Sequence, residues 1–382
     1  MSLARTWSQI DDARLEQLLA DAVACYSPSY AEESVVELFT DALERAGLSV
    51  RRQPVPSSPG ESGRANLLVE LGPWPPAMLW VGHLDTIPLL HDEELGSRRE
   101  GDVLYGLGTA DMKGGCAAMA EALIALAGAG ATFARGLAVA FVVGEEEYGD
   151  GAEVLISDVS APLTVIGEPT GLVPCLTHNG YFEGHLAAEG ARAHAALPDV
   201  GANAIHALLH WIDGLLGELS RLPGAEGLAF NLREIKGGDT RFLVADRCEA
   251  LLDVHMPPGT SQETIAALFE RARAAALEAR RNVRLHWDLS FWGAGYSIDP
   301  AAPLVAPVRA AYAHCGMPFA PAAFRSHSDG NLFYASGTPP VICGPGRLEA
   351  AHTRDEHVDL NEVRQANRLY AAMVHEACIT SE

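Results

Sequence analysis

The sequence predicts a split α/β domain, with a mixed sheet flanked by helices, interrupted by an inserted α+β domain. Three observations carry this expectation. Short apolar runs end again and again in a turn that holds a His, Asp or Glu. That rhythm stops near residue 178 and resumes toward the C-terminus. The stretch between alternates strand and helix patterns in a β-α-β-β-α-β-like, ferredoxin-like order. A chain of 382 residues, 48% of them hydrophobic, supports two cores better than one. The expected division is 1–177 and 290–382 for the split domain and 178–289 for the insert.

Residues 11–24 and 31–46 carry helical periodicity on either side of Tyr26-Ser27-Pro28-Ser29, a turn with a helix N-cap. Residues 66–71 and 78–81 read as buried strands, and His83 falls just past the second. An Ala-rich helix over 112–127 begins directly after Asp111. Residues 137–143 form an apolar strand that delivers Glu145-Glu146-Glu147, and 163–166 form a short one that delivers Glu168. Strand, ligand, helix, strand, ligand is the order of an open sheet whose site lies beyond the carboxyl ends of its strands. In the insert, 181–189, 247–255 and 283–289 read as strands, while 203–222 and 261–280 read as helices.

Fifty acidic against 27 basic residues give a formal charge of −23, which repels phosphate backbones and anionic lipid. Neither a nucleic-acid nor a membrane partner is expected. No window approaches 18 uninterrupted apolar residues, and Met1 to Ile10 lack the basic start and apolar run of a secretory signal. Seven scattered cysteines without a C-x-x-C pair suit reduced thiols in a cytoplasm better than a disulfide framework.

The chemistry sits in the turns. His83-Leu84-Asp85 places two side chains on one side of an extended chain, an imidazole able to bind metal with a carboxylate behind it. Alone, such a triplet is commonly coincidence; its place after an apolar strand gives it weight. Gly106-Leu107-Gly108-Thr109-Ala110-Asp111 approaches a helix but lacks the G-K-[ST] ending of a phosphate loop. A carboxylate at a helix N-terminus suits bridging two cations about 3.5–4 Å apart. Glu145-Glu146-Glu147 would repel one another unless cations stand beside them, one residue binding metal while a neighbour acts as general base. The residues alone leave that register open. Glu168 and His352 carry weight only because two ions need further ligands.

Together, Gly82-His83-Leu84-Asp85, Ala110-Asp111-Met112-Lys113-Gly114-Gly115, Gly144-Glu145-Glu146-Glu147-Tyr148-Gly149, Gly167-Glu168-Pro169-Thr170 and Ala351-His352-Thr353 resemble a known set. It is that of the cocatalytic-zinc metallopeptidases that include acetylornithine deacetylase, succinyl-diaminopimelate desuccinylase, glutamate carboxypeptidase and aminoacylase. The resemblance spans about residues 11–378. It implies two divalent metal ions, zinc first, with cobalt or manganese as alternatives. His83, Asp111 and Glu168 would hold one ion, and Asp111, Glu147 and His352 the other, with Asp85 orienting His83. Aligning Gly149 with the glycine of the family's E-E-x-G makes Glu146 the base and Glu147 the ligand; the other register makes Glu145 the base and Glu146 the ligand. A cis peptide between Asp111 and Met112 is also implied.

The insert resembles the family's dimerisation domain, which implies a homodimer. His194, in Ala193-His194-Ala195, stands where the family supplies a histidine across the dimer to polarise the scissile carbonyl. Other positions depart from the pattern. Related deacylases usually carry Asn where this chain has Phe242, Arg where it has His255, and Gly-Thr where it has Ser326-His327. Those positions hold a substrate carboxylate in the family, and losing a guanidinium fork there removes bidentate recognition. Arg325 or Arg241 is a candidate replacement. The implied reaction is hydrolysis of an N-acyl amino acid or small peptide. Acetylornithine-type deacylation leads, followed by desuccinylation and dipeptidase or carboxypeptidase activity. A metal-binding relative without turnover is disfavoured by the retained Glu146, Asp85 and all five ligands.

Overall fold

The computed structural model describes residues 2–379 apart from 57–62, 91–93, 223, 239–241 and 281, so Arg241 lies outside the described residues. The chain divides into two units: Met1–Leu176 with Ile298–Phe324 and Ser328–Glu382, and Thr177–Ser297 with Arg325–His327.

In the first unit, strand Pro76–His83 lies parallel to Gly136–Val142 on one side and Leu163–Pro169 on the other, and Pro340–Gly344 continues parallel beyond Leu163–Pro169. Ala65–Leu71 and Val50–Pro54 extend the sheet antiparallel on one side, and Cys175 pairs antiparallel with Ile342 on the other. The sheet is therefore mixed. Its parallel strands are buried on both faces, which is why they read as unbroken apolar runs and not as alternation. Helix Gly114–Gly128 is buried almost all round, and helices Asp12–Ala24 and Leu360–Cys378 pack against it. Gly82 lets this helix approach the strand: a Cβ there would meet Cys116 Sγ at 2.7 Å and Met112 Cε at 2.9 Å. That close approach brings the end of one strand beside the turn carrying Asp111.

Because four of the strands run parallel, their carboxyl ends share one edge of the sheet. His83 closes its strand, Glu145 and Glu146 follow the next, Glu168 lies near the end of the third, and His352 is in the loop after the fourth. The chain thus collects its candidate ligands at one place by topology.

The second unit is a four-stranded antiparallel sheet in the order Ala229–Gly237, Arg247–Met256, Gly180–Glu189, Arg284–Gly293. Helices Ala204–Leu219 and Gln262–Ala279 cover the face that carries Phe182, Leu186, Leu252 and Val254. Chain order is β-α-β-β-α-β. Strand Ala229–Gly237 is exposed or half-buried along its length, so its apolar pattern is faint in the sequence. Strand Arg284–Gly293 runs on past residue 289 through a bulge between Leu289 and Phe291. All seven cysteines are free, and five of them are buried. Among the described residues, no helix is long and apolar enough to cross a membrane.

Candidate metal centre

Asp111 sits in the irregular turn Thr109–Lys113 that leads into helix Gly114–Gly128, and the peptide between Asp111 and Met112 is cis. Its two carboxylate oxygens face different imidazoles. Oδ1 lies 3.1 Å from His83 Nε2, and Oδ2 lies 3.6 Å from His352 Nε2. Around it form two groups that share it: His83, Asp111 and Glu168, and Asp111, Glu146 and His352, each with ligand atoms within 4.8 Å of one another. Nε2 of His83 is 3.9 Å from Glu168 Oε1, and Nε2 of His352 is 3.1 Å from Glu146 Oε2.

The acidic triplet is placed differently from the expectation that aligned Glu147 with the ligand. Glu147 is exposed and belongs to neither group; the carboxylate beside Asp111 and His352 is that of Glu146. The cause is Asp85. Its carboxylate accepts the backbone N–H groups of Glu145 at 3.2 Å and Glu146 at 3.0 Å, together with the Ser29 hydroxyl at 2.7 Å. Those bonds draw the first two glutamates inward, and the chain turns outward at Glu147 and Tyr148. Glu145 then places Oε2 at 3.9 Å from His83 Nε2. The Asp85 carboxylate is therefore occupied with the loop. His83 Nδ1 instead donates to the Asp85 backbone carbonyl at 3.0 Å, which leaves Nε2 free for a cation.

Gly144 makes this turn possible. It sits at φ 78°, and a Cβ there would come within 2.0 Å of Asp150 Oδ1 and 2.6 Å of Arg64 Nη2. Arg64 is buried and joins Asp150 to Glu32, with Nη2 3.1 Å from Asp150 Oδ1 and 2.9 Å from Glu32 Oε1.

Two further carboxylates serve the site without a signal of their own in the reading of separate residues. Glu356 is buried and accepts the backbone N–H groups of Ala110 at 3.0 Å and Asp111 at 3.1 Å. It lies four residues after His352 and so ties the loop of one candidate ligand to the turn of another. Burial pushes its carboxyl up to about 7, against the hydrogen bonds it accepts. Asp329 is buried behind Gly149, and burial pushes it up to about 8.

The electrostatics ask for cations. Burial drives Glu145 well above the usual carboxylate range, opposed by His83 and reinforced by Glu168; burial and the charge of Asp111 do the same to Glu168. Among the described residues, Glu168 Oε1 is buried with no hydrogen-bond partner. Two imidazoles and a set of crowded carboxylates, one shared between both groups, form a donor set that fits a pair of divalent ions. A closed structural zinc site would be richer in cysteine, and Cys116 is engaged with the His83 backbone carbonyl at 3.1 Å.

The remaining expected residues fall in the second unit, in two places. His194 is exposed, and its Nδ1 accepts the Ala196 N–H at 3.1 Å, so the neutral ring carries its proton outward on Nε2. Phe242 lies in a turn beside it, next to Leu243, which bridges to His194: its carbonyl accepts the Ala195 N–H at 2.9 Å, its φ is 64°, and its side chain is 74% exposed. His255 and His327 both pack elsewhere, against the Tyr181 ring, with centroids 4.9 Å and 5.0 Å from it. Tyr181 had no place in the expected site.

Comparisons with known proteins bear on the family and the fold. The family model described as Peptidase family M20/M25/M40 matches residues 79–376. An acetylornithine deacetylase of Photorhabdus laumondii is 28% identical over 369 residues, covering 92% of each chain. In structure, a tripeptidase from Staphylococcus aureus superposes with a TM-score of 0.79 at 21% identity, covering 97% of this chain and 99% of that one. Human carnosine dipeptidase 1 gives 0.76 at 14% identity, covering 98% and 99%.

Proposed function

The chain belongs to peptidase family M20/M25/M40, metal-dependent hydrolases of amide and peptide bonds, and from that premise we propose that it removes the acyl group from a small N-acyl amino acid or related amide. The observation that carries the reading is the shared Asp111, whose two oxygens face the two imidazoles. His83, Asp111 and Glu168 hold one ion, and Asp111, Glu146 and His352 the other. Zinc is the first choice on this mixed imidazole and carboxylate set. The bound pair supplies a water of near-neutral pKa and polarises the substrate carbonyl.

The protein's own groups do the rest. Glu145 is the general base: its carboxylate is half-buried beside His83 but stands outside both ligand groups. Oε2 takes the proton of the attacking water and later gives it to the leaving amine nitrogen. Asp85 keeps Glu145 and Glu146 in their separate roles through the peptide bonds it accepts. His194, with its proton on Nε2, offers a hydrogen bond to the developing oxyanion, supplied across a homodimer. Phe242 lies beside it, so its exposed ring borders the same approach.

The test is release of the acyl group from a panel of N-acetyl, N-succinyl and N-formyl amino acids and simple dipeptides by the zinc-loaded protein. Turnover on at least one class is expected. Glu145→Gln should lower kcat by about 10² to 10⁴ while keeping the full metal content. Equal rates in the two proteins would remove Glu145 from the mechanism, and no turnover on any class would remove the reaction.

A further inference from the structure

The second unit holds a cluster whose chemistry is not that of an anion site. The sheet face away from its two helices carries Tyr181 on strand Gly180–Glu189 and His255 directly opposite on Arg247–Met256. His327, distant in sequence, returns to the same place. Phe291 closes the group, with its centroid 5.8 Å from Tyr181 and 5.2 Å from His327, edge to face at 88°. Such contacts favour another flat ring or a planar group.

Among the described residues, two ring nitrogens there lack a partner. His255 Nδ1 and His327 Nε2 are buried without a hydrogen bond, whereas His83 and His178 each bond a backbone carbonyl. Burial also holds the imidazoles neutral. His327 is pushed down to about 3, by desolvation and then by the neighbouring histidines, and desolvation lowers His255 against the pull of Asp253.

The charges around the cluster are already committed. The Tyr181 hydroxyl reaches Asp253 Oδ1 at 3.1 Å and Glu183 Oε1 at 3.2 Å. Arg233 lies 2.7 Å from Glu183 and 3.2 Å from Asp253, so two carboxylates share one guanidinium. A carboxylate brought here would meet neutral imidazoles beside two carboxylates that share one guanidinium. An uncharged group would meet no such repulsion, and a neutral imidazole can both donate to it and accept from it.

We propose that Tyr181, His255, His327 and Phe291 form a substrate subsite for an uncharged planar polar group, a carboxamide or a nitrogen heteroaromatic ring, and not for a carboxylate. This rests on the hydrolytic reading above and names the class of amide it acts on. The substrate then differs from a free N-acyl amino acid by lacking the acid at this end.

Equilibrium binding to full-length, zinc-loaded Glu145→Gln protein tests the subsite, and acetate release by the unsubstituted protein tests the reaction, so each can fail alone. The probes are N-acetylphenylalanine amide and N-acetylphenylalanine, identical except for charge. The carboxamide should bind at least about tenfold tighter, the scale of one lost or repelled polar contact. His255→Arg should reverse the order by giving the acid a guanidinium fork, and His327→Phe should weaken the carboxamide alone. Tighter binding of the acid overturns the proposal. So does an acid preference that vanishes in Arg325→Ala, which would assign the group to that exposed cation. Carboxamide preference without acetate release keeps the subsite and removes the reaction.

Discussion

Asp85 is one side chain that sets the placement of two others. Three consecutive glutamates are chemically alike, and nothing in their order says which reaches a cation. The distinction arises from the Glu145 and Glu146 backbone N–H groups that Asp85 accepts, a contact across 60 residues of sequence. This is why the motif was readable and its register was not: a glycine spacing aligned Glu147 with the ligand, while the fold brings Glu146 beside Asp111 and His352. The same limit applies to His83, whose tautomer is set by a backbone carbonyl that no side-chain motif encodes. The register makes a sharp expectation. Glu146→Gln should lower bound zinc from about two ions per chain to about one, because an amide is a poor substitute for the charged ligand of one half of the pair. Glu147→Gln, altering an exposed side chain, should leave the metal content unchanged. Metal analysis of the dialysed proteins checks both, and loss of an ion in the Glu147 variant would restore the other register.

At the scale of elements, the strand ends were legible because a parallel strand buried on both faces must be apolar throughout, so its end is marked by the first polar residue. His83 and Glu168 follow from that rule, and the alternation of Gly180–Glu189 likewise announces a half-covered sheet. Sheet order, and the exposed strand Ala229–Gly237, carry no such mark. Nor did the links between loops. Glu356 accepts the Ala110 and Asp111 N–H groups and so fixes the turn of Asp111 against the loop of His352. Its sequence signal was present in Ala351-His352-Thr353-Arg354-Asp355-Glu356 but had no contact to give it meaning. Glu356→Ala should weaken the ion at Asp111, Glu146 and His352 by about 10- to 100-fold, as loss of a partner behind the ligands does. Glu356→Gln retains a carbonyl oxygen and should recover much of the affinity. Cobalt titration, read from its visible spectrum, separates this from general destabilisation; equal affinities in all three proteins would reduce the tie to a structural contact.

For the whole molecule, part of the pH dependence of stability comes from buried neutral bases. His178 is fully buried and pushed down to about 4, and His327 to about 3, in each case by desolvation first. In the unfolded chain both would titrate near about 6.5. The unfolded state therefore binds more protons than the folded one at mildly acid pH, and the stability present above about 6.5 is lost as pH falls toward the folded values. Each such histidine removes at most about 1.4 kcal/mol per pH unit across that window. His327→Phe deletes one of these protonation sites and the unpaired Nε2 with it, while keeping a flat ring against Tyr181 and Phe291. The melting temperature of the unsubstituted protein should fall more steeply between pH 7 and pH 5 than that of His327→Phe. Calorimetry of the two proteins, matched in zinc content, measures the difference in slope. Parallel curves would show that His327 takes up its proton in the folded state, and the cluster around Tyr181 would then be able to carry positive charge.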